Sequence, residues 1–205
     1  VNYSKSKDEA EATGRAVEEA GGEAIVVQAN VSDDDDCKKL AKATLDKWGR
    51  IDILINNAGT TKFNDHANLD GIDKDDFERI YGTNVIGPYQ MVRAVFPTMK
   101  QQHEKEGSVA SIVNMASIAG VRGIGSSVAY AASKGARNTM TMSHARAPGP
   151  VARVDAICPG WVGTPWMTNE YGKEPVDQIR YDATDTSHPK PNRTAEQVPM
   201  SPIVC

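Results

Sequence analysis

The chain has 205 residues, a formal net charge of -4, 40% hydrophobic and 24% charged side chains, which suits one soluble domain with a sizeable core. That acidic balance offers no basic field for a nucleic-acid duplex, and no apolar run approaches the roughly 20 residues of a membrane span. Cys37, Cys158 and Cys205 are odd in number, widely spaced and outside any Cys/His cluster, which argues against a disulfide framework or a metal site and, with the polar start VNYSKSKDEAEA, fits the reducing cytoplasm.

In chain order, the Ala, Glu, Lys and Arg content of Ser6 to Ala20, closed by Gly21-Gly22, predicts a helix with a glycine terminator. The β-branched run Ala24 to Val27 predicts a strand. Ser32 is placed to cap a helix whose first turn carries Asp33 to Asp36, acids that suit the helix dipole, and which runs to Trp48 before Gly49. Ile51 to Ile55 predicts a buried strand, Asp75 to Gln102 a long helical stretch, and the polar linker Gln101 to Gly107 a solvated helix end. Then come a strand over Ala110 to Asn114, a helix from Val128 to Ala145 that Pro148 and Pro150 do not let run on, and a strand over Arg153 to Ile157. Such alternation implies parallel strands joined by crossover helices, an α/β architecture. From Tyr181 onward Pro, Thr, Ser and Asp dominate, so residues 182–205 are expected to form an irregular tail beside a domain over residues 1–181.

The chemistry centres on Tyr130-Ala-Ala-Ser-Lys134, because residues at i and i+4 of a helix share a face. An ammonium beside a phenol favours the phenolate and brings its pKa of about 10 toward working pH; a tyrosine packed over a lysine stem is the plainer alternative. Ser117 follows a predicted strand and can reach the same C-terminal sheet edge, where open parallel sheets bind ligands; it is equally a turn residue. Asn56-Asn57-Ala58-Gly59 follows the strand before it and permits close approach of a ligand or makes an ordinary turn. Asn84 either satisfies a helix bend or anchors a water, and the loop Pro159-Gly160-Trp161-Val162-Gly163-Thr164 exposes backbone and a hydroxyl. His144 reads as a surface histidine, three turns beyond Tyr130.

Taken together and in this order, NNAG, Asn84, Ser117, YxxxK and PG…T resemble the short-chain dehydrogenase/reductase family, as do AGGEAIVVQANVSD, WGRIDILINNAG and AICPGWVGTP. The segments are similar to glucose dehydrogenases and to 3-oxoacyl-carrier-protein reductases about equally. The resemblance implies a Rossmann-like doubly wound parallel sheet and hydride transfer between a nicotinamide and a small carbonyl or secondary alcohol. Tyr130 would be the acid/base, Lys134 would hold the cofactor ribose and lower the phenol pKa, Ser117 would orient the substrate oxygen and Asn84 would anchor a water. Tyr3, Ser4, Lys5, Asn30, Val31, Asn57, Ala58, Gly59, Pro159, Gly160, Val162 and Thr164 would join Tyr130 and Lys134 in lining the cofactor. No carboxylate stands among Val1 to Lys5, which favours NADP over NAD because Ser4 and Lys5 could accept a 2′-phosphate. A dimer or tetramer through the helices around Asn84 and Tyr130 is implied as well.

By the same resemblance, the glycine-rich phosphate loop and first strand belong upstream of Val1, and the polar tail stands where a return helix and last strand belong. The fold is therefore expected to be incomplete at both ends, its sheet left with unpaired edges. The alternative function is a catalytically silent fragment or homologue that cannot bind cofactor alone.

Overall fold

A computed structural model describes residues 1–147, 149–160, 162 and 202–203. Its elements are β1 (Asn2–Tyr3), α1 (Lys7–Glu19), β2 (Val27–Gln28), α2 (Asp34–Trp48), β3 (Ile53–Asn56), α3 (Lys74–Tyr81), α4 (Gly87–Glu106), β4 (Ala110–Met115), α5 (Ala119–Arg122), α6 (Val128–Arg146), β5 (Ala152–Ile157) and β6 (Pro202–Ile203). A short 3-10 turn, Leu69–Gly71, precedes α3.

Local chemistry explains most boundaries. Helix α1 gives way at Ala20, and Gly21 supplies the left-handed residue (φ 85°) that reverses the chain. The cap of α2 is Asp33 rather than Ser32: its carboxylate accepts from the amides of Asp35 (2.9 Å) and Asp36 (3.0 Å), adding negative charge where the dipole favours it. Gly49, in the left-handed region at φ 71°, closes α2. The long helical stretch is divided: α3 starts at an Asp73 capping box with Asp76 and passes through a π-helical turn, Gly82–Ile86, into α4. Wide turns of this kind commonly mark functional sites, and this one carries Asn84. Ser127, fully buried, caps α6 by accepting from the Tyr130 amide.

The sheet is split. Strands β3, β4 and β5 form a parallel ladder in full register from Ile53↔Ser111 to Met115↔Ile157, while β1 and β2 pair only with each other. Strand β2 is two residues long, against the four expected over Ala24 to Val27, because β1 offers it only two partners. The free edge of β3 leaves Ile53 and Ile55 62% and 60% exposed, and a cleft of about 500 Å³ runs between that edge and β1, lined by Val1, Val27, Ile51 and Ile55 among others. Unpaired edges were expected from the sequence, and this is their form. Within the segment expected to be irregular, Pro202–Ile203 pairs antiparallel with β5, giving a partner to a strand that would otherwise present an open edge.

The core lies where α2 and α4 cover one face of the ladder, with Cys37, Leu54, Val95, Met99, Ile112 and Val154 in contact. Gln102, in the linker expected to be solvated, is buried there: it accepts from the Ile51 amide (2.8 Å) and donates to the Ile51 carbonyl (3.0 Å), satisfying backbone just ahead of β3.

Candidate active site

Strand β4 and helix α6 bring the three central residues together. Ser117 follows β4, where its side chain acts to lower the Tyr130 phenol pKa and its Oγ accepts from the Ala119 amide (3.1 Å). Lys134, one turn along α6, holds its Nζ 5.5 Å from the centre of the Tyr130 ring and donates to the Met115 carbonyl at the end of β4 (2.7 Å). Backbone contact sets this geometry: a β-carbon on Gly120 of α5 would lie 2.4 Å from the Lys134 carbonyl carbon and 2.5 Å from the Gly135 nitrogen, so the two helices meet without a side chain between them.

The electrostatics differ from expectation in one respect. Burial pushes the Tyr130 phenol above its ordinary value, and the Ser117 hydrogen bond and Arg137 charge only partly offset this. Desolvation, joined by repulsion from Arg137, brings the Lys134 ammonium itself down to about 7.

Asn84 is fully buried and its polar groups are committed: Oδ1 accepts from Thr60 N (2.8 Å), Nδ2 donates to Thr60 O and Ser133 Oγ (both 2.9 Å), and its own carbonyl accepts from Arg137 (2.7 Å). It therefore pins the loop after β3 to α6 rather than presenting a free amide to a water. Asn57, Ala58 and Gly59 occupy that loop, and a β-carbon at Gly59 would stand 3.8 Å from Lys134 Nζ. Asn56 points inward instead, donating to Asn114 Oδ1 (2.9 Å).

Tyr3, Ser4 and Lys5 lie at the C-terminal end of β1, where Ser4 and Lys5 are exposed, and Asn30 follows β2 with its Oδ1 accepting from Ser32 N (3.2 Å). Val31 is buried, with its side chain against Gly87 and its carbonyl accepting from Cys37 Sγ and Gln90 Nε2, and it also lines the cleft beside β3. Pro159, Gly160 and Val162 follow β5, with the Pro159 carbonyl accepting from Ile118 N (3.1 Å); Thr164 lies outside the described residues. The cleft beside β3 reaches Asn57 and Ala58 but not Ser117, Tyr130 or Lys134.

The model of the family described as short chain dehydrogenase matches residues 1–175. The chain belongs to the short-chain dehydrogenase family. It is 35% identical, over 199 residues, to a Streptomyces violaceoruber protein assigned as ketoacyl reductase 2 of the granaticin polyketide synthase, covering 97% of this chain and 76% of that one. Two solved structures are similar: a 3-ketoacyl-(acyl-carrier-protein) reductase from Brucella melitensis complexed with NADH (TM-score 0.72, 33% identity, 80% of this chain and 65% of that one) and an NAD+-bound xylitol dehydrogenase (TM-score 0.71, 32%, 80% and 60%). These likenesses give this short-chain dehydrogenase the Rossmann-like fold and an oxidoreductase family.

Sequence reasoning missed the buried residues beneath the short-chain dehydrogenase site. Asn114 bridges Asn56 and Thr141, and Arg137 is fully buried among backbone carbonyls. Arg137 carried one available signal, a position one turn beyond Lys134 on the face that Tyr130 also uses. His144, read as a surface residue, is half-buried and stacks on Tyr89 with ring centres 5.9 Å apart.

Proposed function

We propose that this chain carries the catalytic centre of an NAD(P)-dependent reductase that interconverts a carbonyl and a secondary alcohol. The observation that carries this reading is the convergence of three side chains, with Ser117 acting to lower the Tyr130 phenol pKa and Lys134 Nζ 5.5 Å from the centre of the same ring. In reduction, Ser117 holds the substrate oxygen and Tyr130 donates its phenolic proton to that oxygen as the carbon accepts a hydride; oxidation reverses both transfers. The buried phenol, pushed upward in pKa, rests protonated and so is set for the reductive direction. When bound, the nicotinamide supplies or takes up the hydride.

The donor set suits such a cofactor: exposed Ser4 and Lys5 beyond β1, the small Ala58-Gly59 after β3, and a lysine beside the phenol. Ser4 and Lys5 support NADP, while the two bound neighbours hold NAD+ and NADH, so NAD is the alternative. The ketoacyl reductases among the relatives favour a 3-oxoacyl thioester over a sugar. Exposed Ile86, Tyr89 and Val128 suit a homo-oligomer contact, for which sedimentation gives the test, and the wide spacing of the cysteines suits the cytoplasm.

Titration with NADPH, followed by cofactor fluorescence, and turnover of a 3-oxoacyl thioester test the reading. Saturable binding is expected, with Tyr130→Phe lowering turnover about 100-fold or more while binding persists. Undiminished turnover in that variant refutes the role of the phenol. A second reading, the catalytically silent fragment, is favoured by the split sheet, and absence of any saturable signal would leave it standing.

A further inference from the structure

Helix α6 buries a second cation beside the first. Arg137 is 0% exposed, and among the described residues no carboxylate pairs with it. Its guanidinium donates from Nε to Asn84 O (2.7 Å), from Nη1 to Asn56 O (3.1 Å) and Met115 O (2.8 Å), and from Nη2 to Ala58 O (3.1 Å). Those oxygens belong to the π-helical turn, the end of β3, the end of β4 and the loop after β3, four segments that converge only in the folded chain. Lys134 Nζ donates to the same Met115 oxygen (2.7 Å), so two cationic side chains share one acceptor.

We infer that Arg137 is a positioning residue of the Tyr130 centre, tying four carbonyl ends together and serving as the permanent positive charge beside the phenol, with Lys134 the group that yields its proton. The inference rests on the proposed reductase reading. A guanidinium has the higher proton affinity of the two and no neutral form near neutrality, so repulsion across the shared oxygen must be relieved at the amine. In keeping with this, Lys134 falls to about 7, by burial first and by the Arg137 charge second, while Arg137, also lowered by burial, stays at about 10.

Among the described residues the other groups around the pair are accounted for. Cys158, after β5, acts on Lys134 in the opposite sense to Arg137. Arg153 and Asp155 of β5 and Arg122 of α5 are exposed. On α3, Asp76 pairs with Lys62 and Arg79, Lys74 pairs with Glu78, Asp75 is exposed and Tyr81 stands against Phe77.

The test is carbon-13 NMR of labelled lysine side chains, with Lys134 assigned through Lys134→Met, across pH 5 to 11 on the full chain without cofactor. In the parent the Lys134 signal should titrate near 7; a midpoint at the ordinary lysine value overturns the inference with no variant needed. In Arg137→Gln, which keeps hydrogen-bond donors without charge, the midpoint should rise, and in Arg137→Lys by less; an unchanged midpoint in a folded variant overturns the inference. NADPH-dependent turnover is measured on the same samples. A moving midpoint in a parent without turnover sinks the reductase reading and leaves the charge relation standing; turnover in the parent with a fixed midpoint sinks the Arg137 inference alone.

Discussion

Replacing Lys134 by methionine should stabilise the chain at pH 7 and remove a pH dependence that the parent shows. The ammonium is buried, and its proton affinity falls from the ordinary lysine value of about 10.4 to about 7. Between those values the unfolded chain binds more protons than the folded one, so stability rises with pH across the window and the penalty is complete below it. At about 1.4 kcal/mol for each factor of ten, the penalty is of order 4 kcal/mol at pH 7 and about 1 kcal/mol at pH 10. Methionine has a similar length and no charge, and its cost is the lost bond to the Met115 carbonyl, about 1 kcal/mol. Urea unfolding of both chains at several pH values between 6 and 10 measures the difference. The parent should gain about 3 kcal/mol over the variant from pH 7 to pH 10; parallel curves would mean that the amine is solvated in the folded state and that its burial beside Arg137 is wrong.

Gly120→Ala should cost about 1–3 kcal/mol in thermal or urea unfolding and lower turnover, since the new methyl meets the Lys134 backbone at 2.4 Å. Gln102→Ala should cost about 2 kcal/mol by the same measurement, because the buried Ile51 amide and carbonyl lose their partner. Burial pushes the Cys37 thiol up to about 11, so alkylation at pH 8 mapped by mass spectrometry should spare it in the native chain and modify it only on unfolding.

The sequence was most legible where chemistry depends on local spacing. Tyr130 and Lys134 meet because they are one helical turn apart, and Ser117 joins them because it ends a strand of the same ladder. The α/β alternation was readable for the same reason, whereas the unpaired edges of the sheet were expected only from the family resemblance. What escaped reading were relations between distant segments. Nothing local to Arg137 announces that carbonyls from Asn56, Ala58, Asn84 and Met115 will surround it. Nor does local spacing show that burial raises the Tyr130 phenol and lowers the Lys134 ammonium. The π-helical turn was hidden likewise, since its five residues follow helical periodicity and only the clip of Asn84 to Thr60 and Ser133 distinguishes them.

The two parts of the site rest on unequal foundations, and that bears on how its functions separate. Ser117, Tyr130 and Lys134 stand on β4 and α6, held by a six-residue ladder and by buried side chains from Asn84, Asn114 and Arg137. Tyr3, Ser4, Lys5 and Asn30 stand on a two-residue pair, secured by the Asn2 side chain on the Ala29 carbonyl (2.9 Å) and that of Gln28 on the Ser4 carbonyl (3.1 Å). Because the cleft lies between β1 and β3, the pair can shift without disturbing any hydrogen bond of the Ser117, Tyr130 and Lys134 cluster. On the proposed reading, proton chemistry is set within β4 and α6, while the reach of Ser4 and Lys5 toward a cofactor depends on where the smaller pair sits. A substitution in β1 should act on cofactor affinity, and one at Arg137 or Gly120 on the proton step, so the two kinds of defect can be told apart in a single enzyme.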